Sequence, residues 1–328
     1  MWIAPTLEEL QHLSDRERFT HVDSLSGNRM ERASFNGAAV VLKYVSVDDD
    51  WIMRAAGDLD CRLLRLLASD IPGRLPGCID TAVIAVAPYM SRAGHGGAAL
   101  LMRDVGAWMV PTGSDAIEVA SNERFMGNMA RMHAALWGYR DTLELLPLAH
   151  HYTFLTPVMA ALEAARGGSD PVPRAVAEGW TALQRIEPRM ASTLGDLARD
   201  PGPLVGALQD SPRTFIHADW KLGNLGEHPD GRTILLDWDR CGEAPPLLDL
   251  AWYLAVNCDR LPVSKEKTIA LYRSALEQQG IETGAWWERQ LALALTGAAL
   301  QLCWAKVHDA VELGWWRDRV LESESLLA

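Results

Sequence analysis

Apolar and polar positions change their rhythm part-way along the chain. Near the start, the turn-like Phe35-Asn36-Gly37 leads into Val40, Val41, Leu42, Lys43, Tyr44 and Val45, a β-branched run with strand character. Thr81 to Ala87 is a second such run and Ala99 to Val105 a third. Between the first two, Leu59, Leu63, Leu64, Leu66 and Leu67 recur at helical spacing and predict an amphipathic helix over residues 54 to 68. The order is strand, helix, strand, strand. Gly94-His95-Gly96-Gly97 follows one strand, precedes another and opens no helix, so it reads as a hairpin turn and not as a phosphate loop.

Beyond Gly106 the apolar period becomes that of helices. Phe125, Met129, Met132 and Leu136 follow i, i+4, i+7, i+11, and residues 157–166 and 172–194 continue the pattern. Two short β runs interrupt it, Thr214 to His217 and Thr233 to Asp237, separated by a segment containing the turn His228-Pro229-Asp230-Gly231. Helices resume at Leu247. The uncharged stretch from Gln290 to Ala305 is too short and too polar to span a bilayer and reads as a buried helix. The pattern is that of an α+β chain with two parts, a β-rich 1–105 and a mainly helical 106–328.

Composition narrows the class. With 328 residues, 48% of them hydrophobic, the chain can fill a large core and exceeds the size at which a single core keeps growing. A net charge of -12, from 43 acidic against 31 basic residues, excludes a nucleic-acid binder and tilts any charged ligand toward a cation. The cysteines Cys61, Cys78, Cys241, Cys258 and Cys303 are odd in number, scattered and free of CxxC spacing, as expected of buried thiols in a reducing cytoplasm. The first residues lack a basic region and a long apolar core, so neither export nor membrane anchoring is expected.

Chemistry concentrates at the two late β runs. Phe215-Ile216-His217-Ala218-Asp219-Trp220-Lys221-Leu222-Gly223-Asn224 and Leu235-Leu236-Asp237-Trp238-Asp239 place polar groups at the ends of apolar strands. Phosphoryl transfer needs a carboxylate to orient or deprotonate the attacking hydroxyl and oxygen ligands to hold Mg²⁺ across the phosphates. Asp219 suits the first role and Asn224 with Asp237 the second, because a five-residue loop presents the base and one ligand together while the neighbouring strand delivers the other.

These residues resemble a known family. His217-x-Asp219-x-x-x-x-Asn224 is similar to the catalytic loop of the protein-kinase-like superfamily, and Leu235-Leu236-Asp237-Trp238 to its metal-binding Asp motif. Met132-His133-Ala134-Ala135-Leu136-Trp137 and Leu248-Asp249-Leu250-Ala251 add agreement with the small-molecule branch, the aminoglycoside phosphotransferase and choline kinase-like family. The resemblance implies a bilobal kinase-like fold, a small β-sheet N-lobe with one main helix and a larger helical C-lobe, with ATP and Mg²⁺ as cofactors and a small hydroxylated molecule as acceptor. It implies that Lys43 grips the nucleotide phosphates and pairs with an acid on the following helix, for which Asp60 is preferred to Asp58 because it stands four residues before Leu64. Ser26, Gly27 and Asn28 occupy the place of the phosphate-covering loop, and the backbone around Arg103 and Val105 that of the adenine-binding connector. Ala218 departs from the usual Gly, and Lys221 from a frequent His.

Other readings remain at this point. His217, His133 and Asp249 read as structural braces, and Asp239 as either a metal neighbour or a solvated carboxylate. Asp309, Glu312 and Asp318 on the late helices are candidates to receive a substrate amine. A nucleotide-binding module without turnover and a metal hydrolase using Asp219, Asp237 and His217 are the competing classes.

Overall fold

The computed structural model describes residues 10, 13–19, 27–168 and 170–327. Their strands, in chain order, are β1 (Ser14–Phe19), β2 (Arg29–Phe35), β3 (Ala38–Ser46), β4 (Ile79–Asp80), β5 (Val83–Met90), β6 (Gly96–Arg103), β7 (Thr214–Ile216), β8 (Leu225–Glu227), β9 (Thr233–Leu235) and β10 (Gly242–Ala244). The chain forms two compact units. One contains the described residues through Thr112 with Thr142–Leu145 and Leu222–Arg240; the other contains Gly113–Asp141, Leu146–Lys221 and the chain from Cys241 onward.

In the first unit, an antiparallel sheet runs in the order β1-β2-β3-β6-β5. Alternation along β3 sorts its side chains by face: Val40, Leu42 and Tyr44 join Ala85, Ala87, Ala99 and Leu101 in a buried cluster, so Lys43 falls on the opposite face. Its cross-strand neighbour there is Leu100 of β6. A second sheet, in the order β4-β9-β8, is made by a parallel β4–β9 pair and an antiparallel β8–β9 pair, which brings Leu222–Arg240 into this unit.

The helix expected over 54 to 68 is two helices, Trp51–Ala55 and Arg62–Ala68. Gly57 (φ 62°) and Cys61 (φ 55°) lie in the left-handed region, which a continuous right-handed helix does not admit. Asp58 starts the second helix by accepting from the Arg62 N–H at 2.9 and 3.1 Å, and Leu59, expected on the apolar face, is exposed.

The second unit is mainly helical, with β7 and β10 paired antiparallel. The helical run expected over 172–194 is Pro171–Ile186 followed by Pro188–Arg199, because Pro188 has no N–H to continue the first helix. The uncharged stretch lies mostly on Trp287–Leu302, a helix with twelve buried residues. No helix of the described residues is long and apolar enough to cross a membrane.

Candidate active site

In the first unit, β3 delivers Lys43 to the face opposite the core, where its ammonium donates to Asp237 Oδ1 at 2.7 Å. The pair lines a pocket together with Leu63, Leu67, Leu100, Met102 and Trp238. Burial works to lower the Lys43 pKa, but Asp237, then Asp239 and Asp50, outweigh it and hold the ammonium charged well above its ordinary range. A lining that combines apolar side chains with a fixed cation is of the kind that receives a ring joined to phosphates.

The β8–β9 hairpin fixes the polar groups at its open end. Leu225 pairs with Leu235, the Asn224 carbonyl accepts from the Leu236 N–H at 2.9 Å, and Asp237 follows one residue on. Asn224 is buried and Asp237 only partly so. The two side chains offer hard oxygen donors. Among the described residues no cluster of three or more His, Cys, Asp or Glu could hold a metal. A two-residue oxygen set completed by phosphate and water is the kind of site Mg²⁺ takes, so the donors fit that ion.

In the second unit, β7 ends at Ile216 and the chain turns through Ala218, which has φ 67°. A non-glycine residue is strained there, and buried Asp249 holds the turn: its carboxylate accepts from the Ala218 N–H at 2.6 Å and the His217 N–H at 2.9 Å. Burial works to raise the Asp249 pKa, but the His133 hydrogen bond and charge and those of His217 bring it below the ordinary value. Beyond the turn, Asp219 is 7% exposed; Oδ1 accepts from Trp252 Nε1 at 3.0 Å and Oδ2 lies 3.4 Å from Lys221 Nζ. A carboxylate held by an indole and a lysine, both donors, remains an acceptor, the state a proton-accepting group requires.

The model of the phosphotransferase enzyme family matches residues 62–307, three quarters of the chain. The chain belongs to that family. No curated protein matches it. Among solved structures, aminoglycoside phosphotransferase APH(3'')-Id from Streptomyces rimosus, in complex with ADP and streptomycin, is 18% identical over 90% of this chain and 96% of its own, with a TM-score of 0.52. Choline kinase LicA from Streptococcus pneumoniae is 12% identical over 96% and 94%, with a TM-score of 0.49. The likeness to the first shows the fold of this phosphotransferase-family chain: an N-terminal antiparallel sheet and a larger helical part, as the motifs implied.

The remaining positions divide. Ser26 lies outside the described residues. Gly27 is exposed at φ 77°, and Asn28 is buried with Nδ2 donating to Asp50 Oδ2 at 2.7 Å. Asp60 is exposed in the link ahead of Arg62–Ala68, whereas the acids acting on Lys43 are Asp237, Asp239 and Asp50. In the connector, the Arg103 N–H bonds the Ala82 carbonyl, its guanidinium pairs with Asp80, and the Val105 carbonyl accepts from Trp108. The late carboxylates have internal partners: Asp309 caps the helix Ala310–Ser323, Glu312 pairs with Lys265 and accepts from Trp316, and Asp318 pairs with Arg317.

Two residues important to the site escaped sequence reasoning. Asp50 caps the helix Trp51–Ala55 through the Ile52 N–H, and burial, with Asp239 adding to it, raises its pKa to about 7. The signal was present: Asp48-Asp49-Asp50 ahead of Trp51-Ile52-Met53 has the look of a helix start. Trp252, the partner of Asp219, comes from a run of apolar residues in which nothing marks one tryptophan as polar in its role.

Proposed function

We propose that the chain is an ATP-dependent kinase that transfers the γ-phosphate to a hydroxyl of a small molecule. The observation that carries this is the Lys43–Asp237 pair in a pocket lined mainly by apolar side chains, a cation placed to meet the phosphates of a nucleotide. Arg103 and Val105 are assigned to the connector beside the base, and Gly27 and Asn28 to the phosphate loop. Asn224 and Asp237 would hold Mg²⁺, which supplies charge neutralisation across the phosphates. Lys43 exchanges its carboxylate partner for phosphate oxygens as nucleotide enters. Asp219 orients the acceptor hydroxyl and takes its proton, with Trp252 fixing the rotamer of the carboxylate.

The test is Mg·ATP turnover, with GTP in parallel, across a panel of hydroxylated metabolites and antibiotics. Asp219→Ala should lower kcat by about 10² to 10⁴ while nucleotide binding persists. A variant that turns over at the normal rate would remove Asp219 from the mechanism, and tight nucleotide binding with no turnover by the native chain would mark a binding module.

A further inference from the structure

Between β4 and β5 the chain makes a tight step along the wall of the Lys43–Asp237 pocket. Thr81 and Val83 both line that pocket, and between them Ala82 stands at φ 58°. A non-glycine residue is strained there and stays only where its surroundings hold it. Two bonds hold Ala82: its N–H donates to Asp80 Oδ1 at 2.9 Å, and its carbonyl accepts from the Arg103 N–H at 2.9 Å. Just beyond, the β5–β6 register shifts between Val83 and Ala85, an irregularity of the kind that re-aims a side chain.

Asp80 is the anchor of this step. It is buried; the Arg103 guanidinium pairs with its Oδ1, and its Oδ2 lies 3.2 Å from Arg232 Nη1. The two arginines come from different elements. Arg103 ends β6, directly after the pocket residue Met102, and Arg232 stands directly before β9 in the hairpin whose open end carries Asn224 and Asp237. Asp80 itself pairs in parallel with Ile234 of β9, the strand that leads to Asp237. Burial works to raise the Asp80 pKa, but Arg103, the Ala82 N–H and Arg232 bring it below the ordinary value, so the anchor is charged at neutral pH.

We infer that Asp80 is a positioning residue for nucleotide binding: it fixes the wall formed by Thr81, Val83 and Met102 against the strand that presents Asp237. It acts through Ala82, Arg103 and Arg232, and it is not itself among the residues that line the pocket. The role rests on the reading of Lys43 and Asp237 as the groups that meet the nucleotide phosphates. Such a site depends on the shell behind it, because a wall that shifts by a fraction of an ångström no longer matches the cation and the metal donors it faces.

Mg·ATP binding to the full-length chain is measured by calorimetry below the melting temperature of each variant, with kcat and both KM values for the best acceptor of the panel. Asp80→Asn keeps the size of the side chain and an acceptor for the Ala82 N–H but removes the charge that gathers the two arginines. The Kd for Mg·ATP and the KM for ATP should rise about tenfold, while kcat at saturating ATP and the KM for the acceptor stay in place. Arg232→Gln, a milder change that leaves the Ala82 and Arg103 bonds to Asp80, should raise the Kd about threefold, and adding it to Asp80→Asn should raise it no further, because both remove the same tie. A lowered melting temperature with an unchanged Kd in Asp80→Asn would make the residue a stabilising one only and overturn the role, as would effects of the two substitutions that multiply. Should Asp80→Asn not fold, an unchanged Kd in Arg232→Gln overturns it alone. Absence of Mg·ATP binding by the native chain would overturn the kinase reading as well, so the two failures read out differently.

Discussion

Asp249→Asn tests the turn that presents Asp219. Asp249 is fully buried; Oδ1 accepts from the Ala218 N–H at 2.6 Å, and Oδ2 from the His217 N–H at 2.9 Å and from His133 Nε2 at 3.0 Å. An ionised carboxylate only accepts, so His133 carries its proton on Nε2 and turns Nδ1 to the Tyr272 hydroxyl, 2.7 Å away. An asparagine has one acceptor oxygen. In its better orientation it keeps the His217 and His133 bonds and sets an NH₂ against the Ala218 N–H. The Ala218 N–H loses its acceptor, the NH₂ set against it has none there, and two bonds lose their charge assistance, a cost of about 3 kcal/mol or more. Denaturation in urea, followed by tryptophan fluorescence at pH 7, measures it. The Asp249 pKa lies below its ordinary value, so its stabilisation is present above the usual carboxylate range and is lost as pH falls through the folded value. The difference between wild type and variant should therefore shrink below about pH 4. A loss under about 1 kcal/mol at pH 7, or a gap that does not change in acid, would refute the reasoning.

Two further perturbations bear on the first unit. Lys43→Met keeps the stem and removes the charge, leaving Asp237 without its cation; the KM for ATP should rise at least about tenfold, close to 1.4 kcal/mol, and an unchanged KM would exclude Lys43 from phosphate binding. Asp50 has a folded pKa of about 7, above its unfolded value, so the folded state binds the extra proton and stability declines as pH rises from about 4 toward 7. Asp50→Asn should flatten that decline by a few kcal/mol in melts compared at pH 5 and pH 8, and parallel profiles would show that the carboxylate ionises freely.

How far the sequence could be read depended on whether burial left a pattern. β3 was legible because its core face alternates Val40, Leu42, Tyr44, and Trp287–Leu302 because it is apolar nearly all round. β1 was not: Ser14–Phe19 reads SDRERF, an exposed edge strand whose charges guard against further pairing and erase any apolar period. β8 and β10 have three residues each, too few for alternation to register. The motif at the late β runs stood out because spacing, unlike pattern, survives in loops: His217 and Asp219 lie on one turn and Asn224 at the end of a hairpin. The acid partner of Lys43 was harder, since the argument for Asp60 needs one helix across residues 54 to 68, and left-handed Gly57 and Cys61 interrupt it.

The same left-handed geometry links the two halves of the chemistry. Ala218 (φ 67°), just ahead of Asp219, and Asp237 (φ 61°) are non-glycine residues in a region that costs about 1 to 2 kcal/mol to occupy. Each is held by a charge of its own unit: Ala218 by the buried carboxylate of Asp249, Asp237 by the half-buried ammonium of Lys43. Strain of this kind persists only where the surroundings over-determine it, and here the bonds at these turns also position the carboxylates proposed to act. The alanine at 218 is tolerated because of this balance. Ala218→Gly would relieve the left-handed strain but gain unfolded-chain entropy of about 0.4 to 1 kcal/mol, so stability should move by less than about 1 kcal/mol in urea titrations. A larger gain would mean that Asp249 does not fully support the turn, and a larger loss that the alanine methyl packs against something the glycine leaves empty.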